Sequence, residues 1–293
     1  MPLEDRQLPE NTDWTFDDLN KLKIKVRKNE VTFRVAYDPK FNSFWAEGFE
    51  KDWEPITFEV YDKFIDPEKI YIDFGAWIGP TLLYAAAKAK HVYGVEPDRV
   101  AFQVLGRNVS ANPELASKIT ICEQAISAVN GQLTLFYSGP GGDSCSSVVT
   151  GGNSSYTVKG VAIADFFSEN RIDPSEVGFI KIDIEGAEFD LIDSLGSFLK
   201  ENNIRPTLYI STHRPYIKKM LKRRYRWLGP FKSPLARAAT RKKVRSFVEK
   251  LDALDYKCKY DSRGQAIDDL YRWASPKGYQ TILLTDQPWL HDR

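Results

Sequence analysis

Two acids bracket a glycine turn in this chain, and together they define a candidate chemistry. Asp73 begins the pattern Asp73-x-Gly75-x-x-x-Gly79, and Glu96 follows Gly75 by 21 residues. Gly75 and Gly79 permit tight backbone geometry and close approach to a ligand, and Pro80 suits the first turn of a helix. A doubly wound fold places the acid that grips a ribose at about the spacing of Glu96. The dinucleotide fingerprint G-x-G-x-x-G is absent, and an acid at position 73 would repel a pyrophosphate while suiting a cationic ligand. S-adenosylmethionine (SAM) carries adenosine, a sulfonium and an ammonium but no phosphate, so charge favours it over NAD. The plainer reading, a strand–turn–helix whose glycines serve only the turn, leaves the strand-end acid unexplained.

A second set of ionisable residues, Asp183, Glu185 and His213, falls after two later strands, on the side where open α/β sheets gather ligands. Methyl transfer from a sulfonium is an in-line displacement in which the protein supplies alignment. A hydroxyl acceptor is a poor nucleophile and gains from a nearby base. Asp183, His213 and Glu185 are the candidates for that role. The two carboxylates could instead hold a metal that polarises the hydroxyl, but no His/Asp/Glu spacing establishes one and no metal is assigned. Duller roles compete: Glu185 and Glu188 suit the first turn of a helix through its dipole, Asp183 could cap that helix, and a solitary histidine is usually a satisfied polar residue.

The elements that must position these residues follow from periodicity. Ile70–Phe74 is a short apolar run suited to a strand covered on both faces. Thr81–Lys90 has a helical apolar stripe, His91–Val95 is a second strand, Asp98 caps a helix to about Val109, and Ile119–Glu123 is a third strand. Asn130-Gly131 between the apolar runs 125–129 and 132–137 signals a hairpin. The Gly/Ser-rich stretch that follows, to Ser155, reads as a mobile loop or as one that folds over ligand. Phe179–Ile184, a helix opened by Glu185, and Thr207–Thr212 resume the alternation, and Tyr256–Tyr260 and Tyr279–Leu284 end it. The expected fold is α/β and Rossmann-like: a doubly wound, mostly parallel seven-stranded sheet closed by an antiparallel C-terminal hairpin, the architecture of class I SAM-dependent methyltransferases. Residues 1–66, with a strand at Val31–Ala36 and aromatics from Phe44 to Phe64, form an N-terminal lid or side layer. There Trp45, Trp53 and Phe58 are expected to pack rather than touch ligand. Residues 67–293 form the main domain.

Composition limits the alternatives. The 293 residues are 42% hydrophobic and 28% charged with a formal net charge of +1, which suits a globular core and says nothing about partners. Cys122, Cys145 and Cys258 contain no C-x-x-C pair, so neither a disulfide framework nor a zinc site is indicated. The polar start, Met1 to Arg6, lacks a signal core, and no run approaches the roughly 20 apolar residues of a membrane span. A cytoplasmic setting is expected, with peripheral contact at the inner face of a membrane as a further option. That option rests on residues 214–250, which carry 14 Lys/Arg and the single acid Glu249, interleaved with Tyr216, Tyr225, Trp227 and Phe231. The segment is either a solvated basic insertion or a dock for an anionic partner.

Three blocks resemble the FkbM-type methyltransferases: Ile72-Asp-Phe-Gly-Ala-Trp-Ile-Gly79; Gly94-Val-Glu-Pro-Asp98 with Phe102, Leu105 and Asn108; and Phe179-Ile-Lys-Ile-Asp-Ile-Glu-Gly-Ala-Glu188. The resemblance implies that the first block (Asp73, Gly75, Ala76, Trp77, Gly79, with Thr81 after it) holds the methionine end of SAM. It implies that Glu96 and Pro97 hold the ribose, and that Glu123 or Gln124 faces the adenine. It further implies methylation of a hydroxyl on a sugar, glycan or related product, here an acceptor that could be anionic or lipid-linked. Two departures stand out: Trp77 replaces the family's usual Asn, and Ser211 stands where an acid often precedes the strand-end histidine. A nucleic-acid methyltransferase is disfavoured by the absence of an Asn/Asp-Pro-Pro-Tyr motif and of a Lys-Asp-Lys-Glu tetrad. A non-catalytic SAM-binding scaffold is disfavoured by the intact acids.

Overall fold

Ile70–Phe74 (β3) is buried at every position and lies inside a seven-stranded sheet, beside its central strand. The computed structural model describes residues 22–275 and 279–289; the first 21 residues of the expected side layer, with the polar Met1–Arg6, lie outside them. β3 pairs in parallel with His91–Val95 (β4) on one side and Val177–Ile182 (β9) on the other. Ile119–Cys122 (β5) extends the sheet beyond β4, and Thr207–His213 (β10) extends it beyond β9, both in parallel. The closing strands behave differently. Tyr279–Thr285 (β12) inserts between β10 and Cys258–Asp261 (β11), antiparallel to both. The expected antiparallel C-terminal hairpin is present as β11 and β12, and the sheet as a whole is mixed, with β12 in the inner place.

Both faces are covered, as alternation along the strands requires. In β9, Ile180 and Ile182 enter one core with Phe166 of Ile163–Glu169 (α5) and Leu195 of Glu188–Glu201 (α6), whereas Phe179 enters the other. That second core holds Pro55–Phe64 (α1), Pro80–Ala86 (α2) and Arg99–Ser110 (α3), which is followed by the short helix Pro113–Ala116 (α4). A hairpin of Lys23–Lys28 (β1) and Val31–Ala36 (β2) packs onto it, tied by Ala36 N donating to Asn108 Oδ1 at 2.9 Å and Arg34 N to Asn112 Oδ1 at 2.7 Å. Asp98 caps α3 as expected, accepting from Val100 and Ala101 N.

Three local expectations fail for identifiable reasons. Asn130-Gly131 does not close a hairpin: Ser154–Ala162 (β8) slides between Ala125–Ser127 (β6) and Gly131–Tyr137 (β7). The Asn130 side chain is committed elsewhere, accepting from Ala162 N and donating to Asp165. Glu185 does not open a helix; it and Gly186 have φ of 52° and 102°, and α6 begins only at Glu188. The basic segment is not a wholly solvated insertion. Arg214–Arg224 (α7), a tight turn over Arg226–Phe231 and Lys232–Asp252 (α8) form an arm whose base is part of the fold. Phe247, Val248 and Leu251 enter the core, and Lys243 and Lys250 pair with Asp190 and Asp193 of α6.

Candidate functional site

The strand ends of β3, β4, β9 and β10 surround a cavity of about 300 Å³ lined by residues from Gly75 to Trp77, Glu96, Pro97, Gln124, Lys181, Asp183, Glu185 and His213 among others. Its position follows from the parallel register, which brings the loops after these strands to one edge. Gly75 must lack a side chain, since a Cβ there would stand 1.9 Å from Asp183 O. Its N–H and that of Ala76 both donate to Val95 O, so the β3 turn is stitched to β4.

Glu96 is buried; its carboxylate accepts from Trp77 N at 2.9 Å and Asp98 N at 2.7 Å. Burial pushes its acid up to about 7, against the pull of those two bonds. Gln124 and Thr81 line the same cavity. Three expected residues sit elsewhere. Glu123 is absent from the cavity wall and lies 3.7 Å from Arg99. Gly79 is the left-handed N-cap of α2, where a Cβ would meet Leu105 at 2.7 Å. Asp73 lies beneath the cavity floor, bound to Lys181 Nζ at 2.8 Å and Thr81 Oγ1 at 2.7 Å, so it is not available to face a ligand's ammonium as its strand-end position implied. Burial raises its acid even against Lys181.

Trp77 fills the place of the family's Asn with a left-handed backbone, φ 49°. Its ring meets Phe44 and Phe41 edge to face, at 4.7 and 5.8 Å between centroids, and Nε1 donates to Gly142 O at 3.0 Å. Gly142 N in turn donates to Asp98, as does Ser146 Oγ at 2.6 Å, and Ser147 Oγ donates to Glu185 O. The Gly/Ser-rich stretch is thus folded against the cavity, to which it contributes Asp143, Ser144 and Ser146.

The other end of the cavity concentrates charge. His213 Nε2 lies 3.4 Å from both Asp183 Oδ1 and Glu185 Oε1, and Nδ1 lies 3.5 Å from Glu188 Oε1. Glu188 also accepts from Gly186 N and His213 N, which fixes the strand end to the turn. Burial alone would lower the imidazole, but Glu188, Asp183 and Glu185 outweigh it and raise His213 to about 9. Burial raises Glu185 to about 7 against the attraction of His213. Glu185 Oε2 is buried with no hydrogen-bond partner among the described residues. One donor atom each from Asp183, Glu185 and His213 lie within 4.8 Å of one another, a set that could hold a metal ion. A protonated His213 supplies positive charge at the same place, and a metal would have to displace that proton.

Several cavity residues carried no sequence-level assignment. Lys181 stands two residues before Asp183 in the third family-like block, and that spacing is the signal that could have found it. Phe44, Trp53 and Glu54 reach the cavity from the N-terminal layer, so Trp53 is more than packing, whereas Trp45 and Phe58 are buried in the core. The buried Lys28 ammonium holds the carbonyls of Phe49, Lys51 and Trp53 at 2.8, 2.9 and 3.1 Å, fixing the turn that delivers them.

The Methyltransferase FkbM domain matches residues 73–249, more than half the chain. Among curated proteins nothing matches. Similar solved structures include the methyltransferase FkbM of Methylobacillus flagellatus KT, 24% identical over 50% of this chain and 33% of that one, TM-score 0.36. A putative rRNA methylase of Clostridium thermocellum is 10% identical over 78% and 92%, TM-score 0.40. M. jannaschii TYW2 in complex with AdoMet is 12% identical over 89% and 83%, TM-score 0.38. The chain thus spans one third of the length of the first of these. On the family match, the chain belongs to the FkbM methyltransferase family.

Proposed function

We propose that the protein methylates a hydroxyl of a sugar, glycan or related glycosylated product, with Glu185 taking the hydroxyl proton. One observation carries the reading: Glu185 Oε2 is a buried acceptor on the cavity wall without a hydrogen-bond partner among the described residues, the nearby Tyr216 hydroxyl donating to Cys145 O instead, on an acid raised to about 7. A group that titrates near the operating pH is suited to general-base work, and a hydroxyl is the donor that such an oxygen lacks. His213, held cationic, cannot take a proton at neutral pH; it orients Asp183 and Glu185 instead. The aromatic wall of Phe44, Trp53 and Trp77 beside these carboxylates suits a sugar ring, which offers C–H faces to aromatics and hydroxyls to acids.

The residues present fit SAM. The cavity is near the small end of the ~300–1,000 Å³ range of such sites. Its wall carries Glu54, Glu96, Asp143, Asp183 and Glu185 against Lys181 and His213, which suits a ligand of net positive charge. Glu96 would hold the ribose hydroxyls, Gln124 the adenine and the Gly75–Trp77 turn the methionine end. SAM, when bound, would supply the methyl group from its sulfonium, which would leave as a neutral thioether. Lys181 keeps Asp73 neutralised beneath this end, and the 138–147 loop excludes water from it.

Purified protein incubated with radiolabelled SAM and a panel of sugars, glycosylated products, lipid-linked sugars and RNA tests the reading. Label should enter a sugar hydroxyl, and Glu185→Gln should lower turnover by roughly 10²–10⁴ with SAM affinity retained. Label in RNA or in an amine, or full turnover by the variant, overturns it.

A further inference from the structure

Five large apolar side chains stand exposed among the described residues, and three of them fall on one short stretch: Trp227 at 77%, Phe231 at 69% and Leu235 at 44% exposure. They follow one another at four-residue intervals along the turn and the start of α8. Gly229, with φ 52° and ψ −121°, and Pro230 break the helices there, so the chain projects at this point instead of burying its aromatics.

The charges of the arm divide in the same place. At its base, Lys243, Lys250 and Arg245 are paired with Asp190, Asp193 and Glu249. At its tip, Lys222, Arg224, Arg226, Lys232 and Arg237 are exposed and have no carboxylate partner among the described residues. Arg241 and Lys242 also have no carboxylate partner among the described residues, but only at the tip do such cations surround exposed Trp and Phe. Trp, Phe and Leu flanked by Lys and Arg have the chemistry of the water–bilayer interface, with rings at the level of the headgroups and cations against anionic lipid. No helix of the described residues is long and apolar enough to cross a membrane, so the tip would lie on the surface.

We propose that the Arg226–Phe231 turn docks the protein on an anionic lipid bilayer, with Trp227 and Phe231 entering the headgroup region and Leu235 following. The rest of the arm connects that contact to the site. Tyr216 donates to Cys145 O at 3.1 Å, Lys219 to Gly151 O at 2.8 Å, and the Arg223 guanidinium lies over the Phe136 ring at 5.6 Å. The helix that carries the tip thus rests on the segment that lines the cavity. Nucleic acid is the lesser fit, because Leu235 and Pro230 offer no stacking face and the aromatics stand on a projecting turn. The proposal goes beyond the acceptor reading and does not require it, since the test below needs no turnover.

The full chain is floated with vesicles of phosphatidylcholine alone and of phosphatidylcholine with phosphatidylserine. Binding should appear only with the anionic lipid and weaken with salt. Trp227→Ala with Phe231→Ala should weaken it about tenfold or more, and replacing Arg224, Arg226 and Lys232 by Gln about fivefold per charge. Brominated acyl chains should quench tryptophan emission in the wild type and fail to do so in Trp227→Phe, a readout that does not depend on any multiple variant folding. SAM affinity should match the wild type throughout. Absence of binding to anionic vesicles overturns the proposal. So does binding that Trp227→Ala/Phe231→Ala leaves unchanged, or single-stranded RNA held more tightly than vesicles through the same residues.

Discussion

Lys181 Nζ lies 2.8 Å from Asp73 Oδ1, and the two residues are direct register partners on the adjacent parallel strands β9 and β3. The ammonium also donates to Gly75 O at 2.9 Å and stands 3.8 Å from Asp183 Oδ2. One buried cation thus joins the strand-end acid, the glycine turn and the acid of the catalytic end. Both members are buried, and the pair forms part of the floor beneath the cavity.

Lys181→Met should therefore act as a folding mutation. Removing one partner of a buried pair leaves an uncompensated charge, at a cost of about 3–5 kcal/mol. Asp73→Asn added to Lys181→Met should recover a large part of that loss, because the remaining amide is neutral and can still accept from Thr81. Urea denaturation of the single and double variants measures it; equal destabilisation in both would show that the pair is not the source.

Much of the scaffold was legible because its signals are local. β4 matches its expected bounds, Asp98 caps α3, and the blocks around Asp73, Glu96 and Asp183 meet at one edge because parallel register makes adjacent strand ends neighbours. What was not legible depended on distant partners. Asn130-Gly131 has the composition of a hairpin turn, but the nine-residue β8 offers β7 a longer ladder than the three-residue β6 can. Asp73 reads as a ligand acid until Lys181 is set opposite it, which only the β3–β9 register does. Glu54 reaches the cavity through the turn held by Lys28, a contact with no trace in local spacing.

The acid–imidazole cluster predicts a bell-shaped pH dependence. Glu185 accepts a proton only when ionised, so turnover should fall as pH drops through about 7. His213 orients the two carboxylates only as imidazolium, so turnover should fall again as pH rises through about 9. Glu185→Gln should abolish the acidic limb and His213→Gln the basic limb, each in kcat. The same imidazolium has a folded-state value above its usual 6.5; it adds stability that is complete below pH 6.5 and is lost towards pH 9. Thermal melts of wild type and His213→Gln should converge at the alkaline end; a constant gap across that window would contradict the assignment.

Chelation separates the proton from a metal at the same cluster. A protonated His213 already places a positive charge between Asp183 and Glu185, so extensive dialysis against EDTA should leave turnover at neutral pH unchanged. Added Mn²⁺ should bind only with release of a proton, visible as a pH-dependent affinity in calorimetry. Turnover lost in EDTA and restored by Mn²⁺ would instead make the three residues metal ligands.

Trp77 ties the cofactor turn to the loop over it, and two substitutions divide its contributions. Trp77→Phe keeps a ring against Phe41 and Phe44 but removes the Nε1 bond to Gly142 O. One such bond contributes about 0.5–1.5 kcal/mol, and its loss falls on the 138–147 loop, not on the core. Amide exchange should accelerate at Gly142 and Ser146 while the strands keep their protection, and the Km for SAM should rise more than kcat falls. Trp77→Asn places a residue that tolerates the left-handed backbone, relieving roughly 1–2 kcal/mol, yet it removes a half-buried ring with its Phe41 and Phe44 contacts, at a cost towards the lower end of the about 3–5 kcal/mol of a buried aromatic. Packing outweighs strain on these magnitudes, so the Asn variant should be the less stable of the two despite restoring the residue common in the family. A Trp77→Asn protein as stable as wild type would mean that the backbone strain, and not the ring, dominates at this position.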